Sequence, residues 1–589
     1  MKTFLKYTLA TITGLIISSI LFFFVILASL SVMIASGDKP ASVQENSILV
    51  LKAGLPIPDR SNENPLSNID FANVNFSPSA GLNDILKNID KAARDNKIKG
   101  ILIENGMLPT GWATTQEIRN ALRSFKESGK FIISYSDYTM RQEGYYLSSI
   151  ADRIYISPGT LLDFKGLSAE VMFYKNALDK LGVEVQVIRH GKFKGAVEPF
   201  ILDELSEENK IQIKAYVGSI WNNVLEDIST DRNIPAEKLN LIADNLDAHL
   251  SASALGNSLV DGIMFRDELI DTLKSLTDIS KKEDLRLVSM TKYSKVPDSK
   301  KQVSAKNRIA VIYASGTIVM GKGNENNIGG DHYSEVIRKQ RNDSSVKAIV
   351  LRVNSPGGNA VASDMIWREL ELASEIKPVV VSMGNYAASG GYYISAPGTK
   401  IFANPATISG SIGVFGLIPN ADKLLKDKLG ISTQTVNTNK YADFPSIYRP
   451  MDSHEKEVMQ AAIETIYSDF VGKVAKGRKM DIPSVDSIGQ GRVWAGSTCI
   501  EIGLVDELGG LTDAIKEAVK LADLESYSIR ELPEIEDPLT SLIKQLSGDV
   551  RLNILKKELG ESVRFLNEFR EMKNLSGIQT RLPYFIDIH

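Results

Sequence analysis

The chain carries the same pattern twice. Lys97–Glu104 (KIKGILIE) matches Ser345–Arg352 (SVKAIVLR) at an offset of 248 residues. The stretch from Glu143 (EGYYLSSIADRIYISPGT) matches the one from Gly390 (GGYYISAPGTKIFANPAT) at an offset of 247. ALDKLGVEVQV aligns with LLKDKLGISTQTV, Gly182 against Gly430, and Asn257–Asp261 (NSLVD) aligns with Ile502–Asp506 (IGLVD). Four matches in one order at nearly constant offset imply a tandem duplication, so two similar units must each bury a core. We place the copies at 47–275 and 307–522. A polar, lysine-rich linker (276–306) joins them, and a charged, helix-patterned tail (523–589) follows.

Within each copy, short β-rich runs such as KGILIE, KFIISYS, RIAVIYASG, KAIVLRV and KPVVVSMG alternate with helical patterns such as TTQEIRNALRSFKESG. Strands separated by crossover helices predict an α/β fold with a mostly parallel sheet.

No charged residue occurs from Tyr7 to Gly37, and Lys2 and Lys6 precede this run. A bilayer needs roughly 20 apolar residues in a helix, and a cleaved signal peptide has a shorter apolar core. We therefore expect residues 1–37 to form a cytoplasmic N-terminus and an uncleaved transmembrane anchor, with the body on the outer side. The net charge of −4 offers no electrostatic footprint for nucleic acid. The single cysteine, Cys499, excludes an intrachain disulfide framework and a multi-cysteine metal site. It sits in a helical pattern and reads as a small core residue.

The copies differ where chemistry would be expected. In GNYAASGGYYIS, Ser389 sits between small residues just after a predicted strand; the first copy has Gln142 there. The second copy also carries VNSPGGNAVAS, whose Gly357 and Gly358 would let backbone N–H groups approach a ligand closely, as an oxyanion hole requires. The first copy lacks the paired glycines. None of the five histidines lies in a motif with a carboxylate; His190 (VIRHGKFKGAVEPF) is the one alternative base worth retaining. The repeat points to a lysine instead. Aligning VQVIRHGKFKGAVEP with TQTVNTNKYADFPSI sets Lys194 against Ala442, so the copy lacking the serine keeps a lysine that the other has lost.

A lysine can accept the serine proton only if its pKa falls from about 10.4 toward roughly 7. Desolvation can do this, and Phe193, Val197 and Phe200 are apolar neighbours in sequence. A hydroxyl from SGSIGVFG, Ser411 in preference to Ser409, could orient the neutral amine. An acyl-CoA enzyme with a similar glycine turn, or a non-catalytic membrane scaffold, would also suit parts of this pattern.

The motifs GKFKGAVEPF, VNSPGG, AASGGYYIS, SGSIGVFG and GRVWAG, in this order after an apolar N-terminal run, resemble the signal peptide peptidase A family in its long, double-domain form. That resemblance implies tandem Clp/crotonase-like domains and a membrane-anchored serine protease of the bacterial inner membrane, its body periplasmic. It implies Ser389 as nucleophile, Lys194 as general base, Ser411 orienting the lysine, and Gly357 and Gly358 in the oxyanion hole. It further implies a homotetramer whose neighbouring subunits complete each active site, with signal peptides and other apolar peptides as substrates. No metal or cofactor is required.

Overall fold

The structure is a computed structural model. It describes residues 41–298, 305–535 and 577–582, apart from 55, 62–68, 71–74, 77–79 and 107, together with parts of 3–21 and residues 587–588. Most of the expected anchor and the helix-patterned part of the tail (536–576) lie outside these residues. Residues 10–19 are helical, and among the described residues no helix is long and apolar enough to cross a membrane.

Each copy builds a parallel sheet with the same strand order. In the first the order is Leu287–Ser289, Ser47–Ala53, Ile98–Asn105, Phe131–Ser136, Arg153–Ile156, Gly262–Ile263. The second repeats this six-strand path, Ser528–Leu532, Arg308–Ser315, Val346–Ser355, Val379–Ala388, Lys400–Ala403, Glu507–Leu508, within an eight-stranded sheet in which Val379–Ala388 also pairs Ile408–Gly410, itself antiparallel to Val493–Ala495. The outer strands Leu287–Ser289 and Ser528–Leu532 come from segments read as linker and tail, so each sheet extends one strand beyond the boundary drawn from the repeat.

Successive side chains of a strand point to opposite faces, and both faces of these sheets are covered. In the first sheet, Leu49, Leu51, Ile101 and Ile103 pack against helices Leu82–Arg94 and Trp112–Lys126, while Ile48, Val50 and Leu102 meet Leu269 and Leu273 of helix Arg266–Leu276. The second copy repeats this. Ile312, Leu351 and Val381 face helix Ala360–Ser374, and Val311, Val350 and Val380 face Leu511, Ala514 and Ala518 of helix Leu511–Leu521.

A third sheet joins the copies. Its order is Asn327–Gly329, Thr317–Val319, Gly357–Asn359, Gly577–Arg581, Val414–Asn420, Glu184–His190. Glu184–His190 of the first copy lies antiparallel to Val414–Asn420 of the second, from Val414↔His190 to Asn420↔Glu184. The second-copy segment that the repeat aligns with Glu184–His190, near 431–440, is exposed and contains no strand.

A buried ionic cluster also ties the copies together. Arg352, on a central strand of the second copy, contacts Asp59 at 2.8 Å and Glu117 at 2.6 Å, both from the first copy, and donates to Ser382 Oγ at 2.9 Å. Glu117 in turn accepts from Leu511 N and from Asn404 Nδ2 of the second copy. All three charged side chains are buried. A buried pair adds little net stability by itself, yet removing one partner strands the other charge at about 3–5 kcal/mol. Arg352→Met is therefore expected to destabilise the chain by about that amount, read as a lowered guanidinium midpoint by circular dichroism.

Candidate active site

Ser389 stands at the end of strand Val379–Ala388, immediately before helix Gly390–Ser395. Its backbone has φ 55° and ψ −114°, a conformation that costs a non-glycine residue about 1–3 kcal/mol. Two hydrogen bonds hold it there: Ser389 N–H donates to Gly410 O at 2.8 Å, and Tyr393 N–H donates to Ser389 O at 2.8 Å. The sharp turn needs small neighbours. A Cβ on Gly390 would lie 2.7 Å from Ser363 Oγ, and one on Gly391 would lie 2.6 Å from Ser355 O.

Lys194 follows Glu184–His190 by four residues, so the sheet between the copies delivers it to the second copy. Its Nζ lies 2.8 Å from Ser389 Oγ, 3.0 Å from Ser411 Oγ and 3.1 Å from Ser411 O. Both Lys194 and Ser389 have 0% exposure. Burial alone pushes the lysine pKa well below its ordinary value, with no carboxylate acting to restore it. Three contacts suit a neutral amine, which has two N–H groups to donate and one lone pair to accept with.

The lysine loop is clamped from several sides. Gln212, on the long helix Glu207–Arg232, donates from Nε2 to Phe193 O at 3.0 Å and accepts at Oε1 from Val493 N–H at 3.0 Å. Phe193 N–H donates to Gln490 O at 3.1 Å. Gly491, at φ +82°, approaches so closely that a Cβ there would lie 2.7 Å from the Lys194 backbone. Buried Glu198 accepts from Ser206 Oγ at 2.7 Å and Asn209 Nδ2 at 2.6 Å, fixing the short helix that follows the lysine.

The other sequence-derived positions fall as follows. Ser411 reaches Lys194, whereas Ser409 Oγ donates to Ala387 O at 2.8 Å and braces neighbouring strands. Gly357, at φ +96°, sits where a Cβ would be 2.7 Å from Gly390 N, and its own N–H donates to Ser355 Oγ at 3.1 Å. Gly358 pairs with Ile318 on one side and Thr580 on the other. His190 is not beside the serine: its ring stacks on Tyr467 at 3.7 Å and its Nδ1 lies 2.6 Å from a Glu464 carboxylate oxygen. Cys499 is buried, and burial pushes its thiol up to about 12.

In the first copy the serine position is filled by Gln142, whose side chain bonds Gly166 O and Lys165 N–H. In the second copy the position aligned with Lys194 is held by Ala442, exposed in a turn. Each copy has therefore turned the other's site position to ordinary structural use. Serine and lysine meet within one chain. The duplication supplies both halves through the strand pairing just described. Gln212, Gly491 and strand Gly577–Arg581 are the parts of the site that reading the sequence missed. Only GRVWAG, whose first residue is Gly491, hinted at them.

Comparison with known proteins identifies the family. The family model for peptidase family S49 matches residues 124–280 and 371–525, once in each copy. The chain is 36% identical over 482 residues to Protease 4 of Haemophilus influenzae, covering 80% of this chain and 78% of that one. It is also 36% identical to Protease 4 of Salmonella typhi, covering 80% and 76%. It is 33% identical to the chloroplastic serine protease SPPA of Arabidopsis thaliana, covering 86% and 75%. The chain belongs to peptidase family S49 and is a serine protease.

Proposed function

We propose that the protein is a membrane-anchored endopeptidase working through a Ser389–Lys194 dyad, on tandem Clp/crotonase-like domains, and that it degrades signal peptides and other apolar peptides in or near the membrane. The observation that carries this reading is a fully buried lysine amine 2.8 Å from a serine hydroxyl, with its pKa lowered by burial alone. The charge-free run at 7–37 supports an anchor in a bacterial inner membrane with the body in the periplasm. Homotetramer formation belongs to the same reading.

In the proposed reaction, neutral Lys194 accepts the proton of Ser389 as its oxygen attacks a peptide carbonyl. Ser411 holds the amine through its carbonyl and hydroxyl, leaving the lone pair toward Ser389. In this reading the Gly357–Gly358 turn contributes backbone N–H to the developing oxyanion, the Gly357 N–H leaving Ser355 Oγ to do so, each such donor being worth about 3 kcal/mol. The protonated lysine returns its proton to the leaving amine. A water activated by Lys194 then hydrolyses the acyl-enzyme. No metal or cofactor enters these steps.

Three outcomes test this. Ser389→Ala and Lys194→Ala should reduce hydrolysis of a fluorogenic peptide to background. Lys194→Arg should be equally inactive, because a guanidinium keeps its proton; turnover by the arginine variant would exclude a proton-accepting role. Gln212→Ala, which frees the lysine loop, should lower kcat about 10–100-fold.

The pH dependence has a definite sign. The rate should rise with pH as Lys194 loses its proton, along a limb lying well below the ordinary lysine range. The unfolded chain protonates this lysine near 10.4 while the native chain does not, so the cost of burial is full below the native pKa and vanishes as pH passes about 10.4. The Tm of Lys194→Met minus that of the wild type should therefore fall as pH is raised from about 7 to about 10, measured by scanning calorimetry.

A further inference from the structure

His190, the alternative base that the serine does not use, leads to a second set of residues beside the lysine loop. Its ring, four residues before Lys194, stacks on Tyr467 at 3.7 Å with 22° between the planes. Tyr467 is buried and comes from helix Ser453–Arg478 of the second copy. Its hydroxyl donates to Asp486 Oδ1 at 2.5 Å and accepts from Gln490 N–H at 3.1 Å. Burial, with Asp486 beside it, raises the phenol pKa, so the hydroxyl keeps the proton it donates.

Gln490 carries this hold to the site. Its backbone has φ 51°, the left-handed region that disfavours a residue with a side chain, so outside bonds must keep it there. They come from both sides: its N–H goes to Tyr467, and its carbonyl accepts from Phe193 N–H at 3.1 Å. Gly191 makes room for the approach, since a Cβ there would lie 2.4 Å from Gln490 O. The next residue, Gly491, rests on the Lys194 backbone, and its N–H donates to Ile412 O at 2.7 Å. Gly413 fits between the two, where a Cβ would lie 2.7 Å from Gly491 Cα and 3.2 Å from Lys194 Cδ.

We propose that Tyr467 is a positioning residue of the dyad: it fixes the Gln490–Gly491 turn, and that turn seats the lysine loop and keeps water from Lys194. The two copies then hold one peptide unit each way. Gln212 of the first copy takes Phe193 O, while Tyr467 of the second takes Phe193 N–H through Gln490 and the His190 ring directly. The charged groups facing this unit are Asp486, Glu464 on His190 Nδ1, and Arg492 over the Phe193 ring at 5.0 Å. Among the described residues none of them pairs with Lys194, so the turn acts on the lysine by exclusion of water. This inference rests on the protease reading of Ser389 and Lys194.

The test compares the full-length wild type with Tyr467→Phe, which keeps the stacked ring and removes only the hydroxyl. For a fluorogenic peptide, kcat should fall about tenfold while KM stays within about twofold. The rising limb of kcat against pH should move at least about half a unit upward, because a loosened turn admits water and favours the ammonium. A merely structural tyrosine would lower Tm and leave that limb in place, a result that would overturn the proposal. Hydrogen exchange followed by mass spectrometry reads the same link without activity. The peptide containing Phe193 should exchange about tenfold faster in the variant; unchanged exchange would count equally against Tyr467. Asp486→Ala, which removes the acceptor that orients the hydroxyl, should move both readouts in the same direction, and no movement in either would also overturn the proposal. If the wild type lacks peptidase activity while Tyr467→Phe speeds exchange at Phe193, the protease reading fails and the hold of Tyr467 on the loop stands.

Discussion

The site depends on an amine buried without a counter-charge. A lysine in such surroundings is expensive to keep protonated, because burial penalises the ammonium and no carboxylate offsets it. The same desolvation that costs stability favours the unprotonated amine, the form able to accept a proton. Around this one atom the structure satisfies hydrogen bonding in full: Ser411 contributes an oxygen pair, and Ser389 the remaining contact. A carboxylate near Nζ would make the lysine more comfortable and chemically inert. Its absence is therefore part of the design.

That arrangement requires the two copies to be held in one orientation, because each contributes half. The antiparallel pairing of Glu184–His190 with Val414–Asn420 sets the distance, since Lys194 lies only four residues past the strand end. The Arg352 cluster works at a separate point of the same interface, where charges from both copies are buried together. Such a cluster is weak as a source of net stability, but a wrong docking angle would leave its charges unpaired, so it selects one orientation. Gln212 then couples the lysine loop to Val493, beside the strand that follows the serine turn.

Much of this was legible without coordinates. The repeat offsets predicted two similar units, and the sheets share one strand order. The alternating apolar strands predicted sheets covered on both faces. Ser389 and Lys194 were singled out because each copy had lost what the other retained, and Ser411 as a hydroxyl able to orient the amine; the structure brings these three together within hydrogen-bonding distance. Where the reading fell short, the cause was sequence separation. Arg352 and Asp59 are far apart in the chain and share no motif. Strand Gly577–Arg581 follows a helix-patterned tail and carries no alternation strong enough to announce a strand. Its pairing comes from two open strand edges elsewhere in the fold.

By itself, then, the sequence determined the duplication, the α/β class, and the residue types able to perform serine–lysine chemistry, because periodicity and reciprocal loss are local properties of the text. Tertiary structure alone decided that the two halves meet within one chain, that desolvation rather than a charged neighbour tunes the lysine, and that strand Gly577–Arg581 pairs between the glycine turn and Val414–Asn420. Those outcomes depend on which strand edges and buried groups remain unsatisfied once both cores have formed. Hydrogen-bond demand across the interface, which no linear pattern records, settles that.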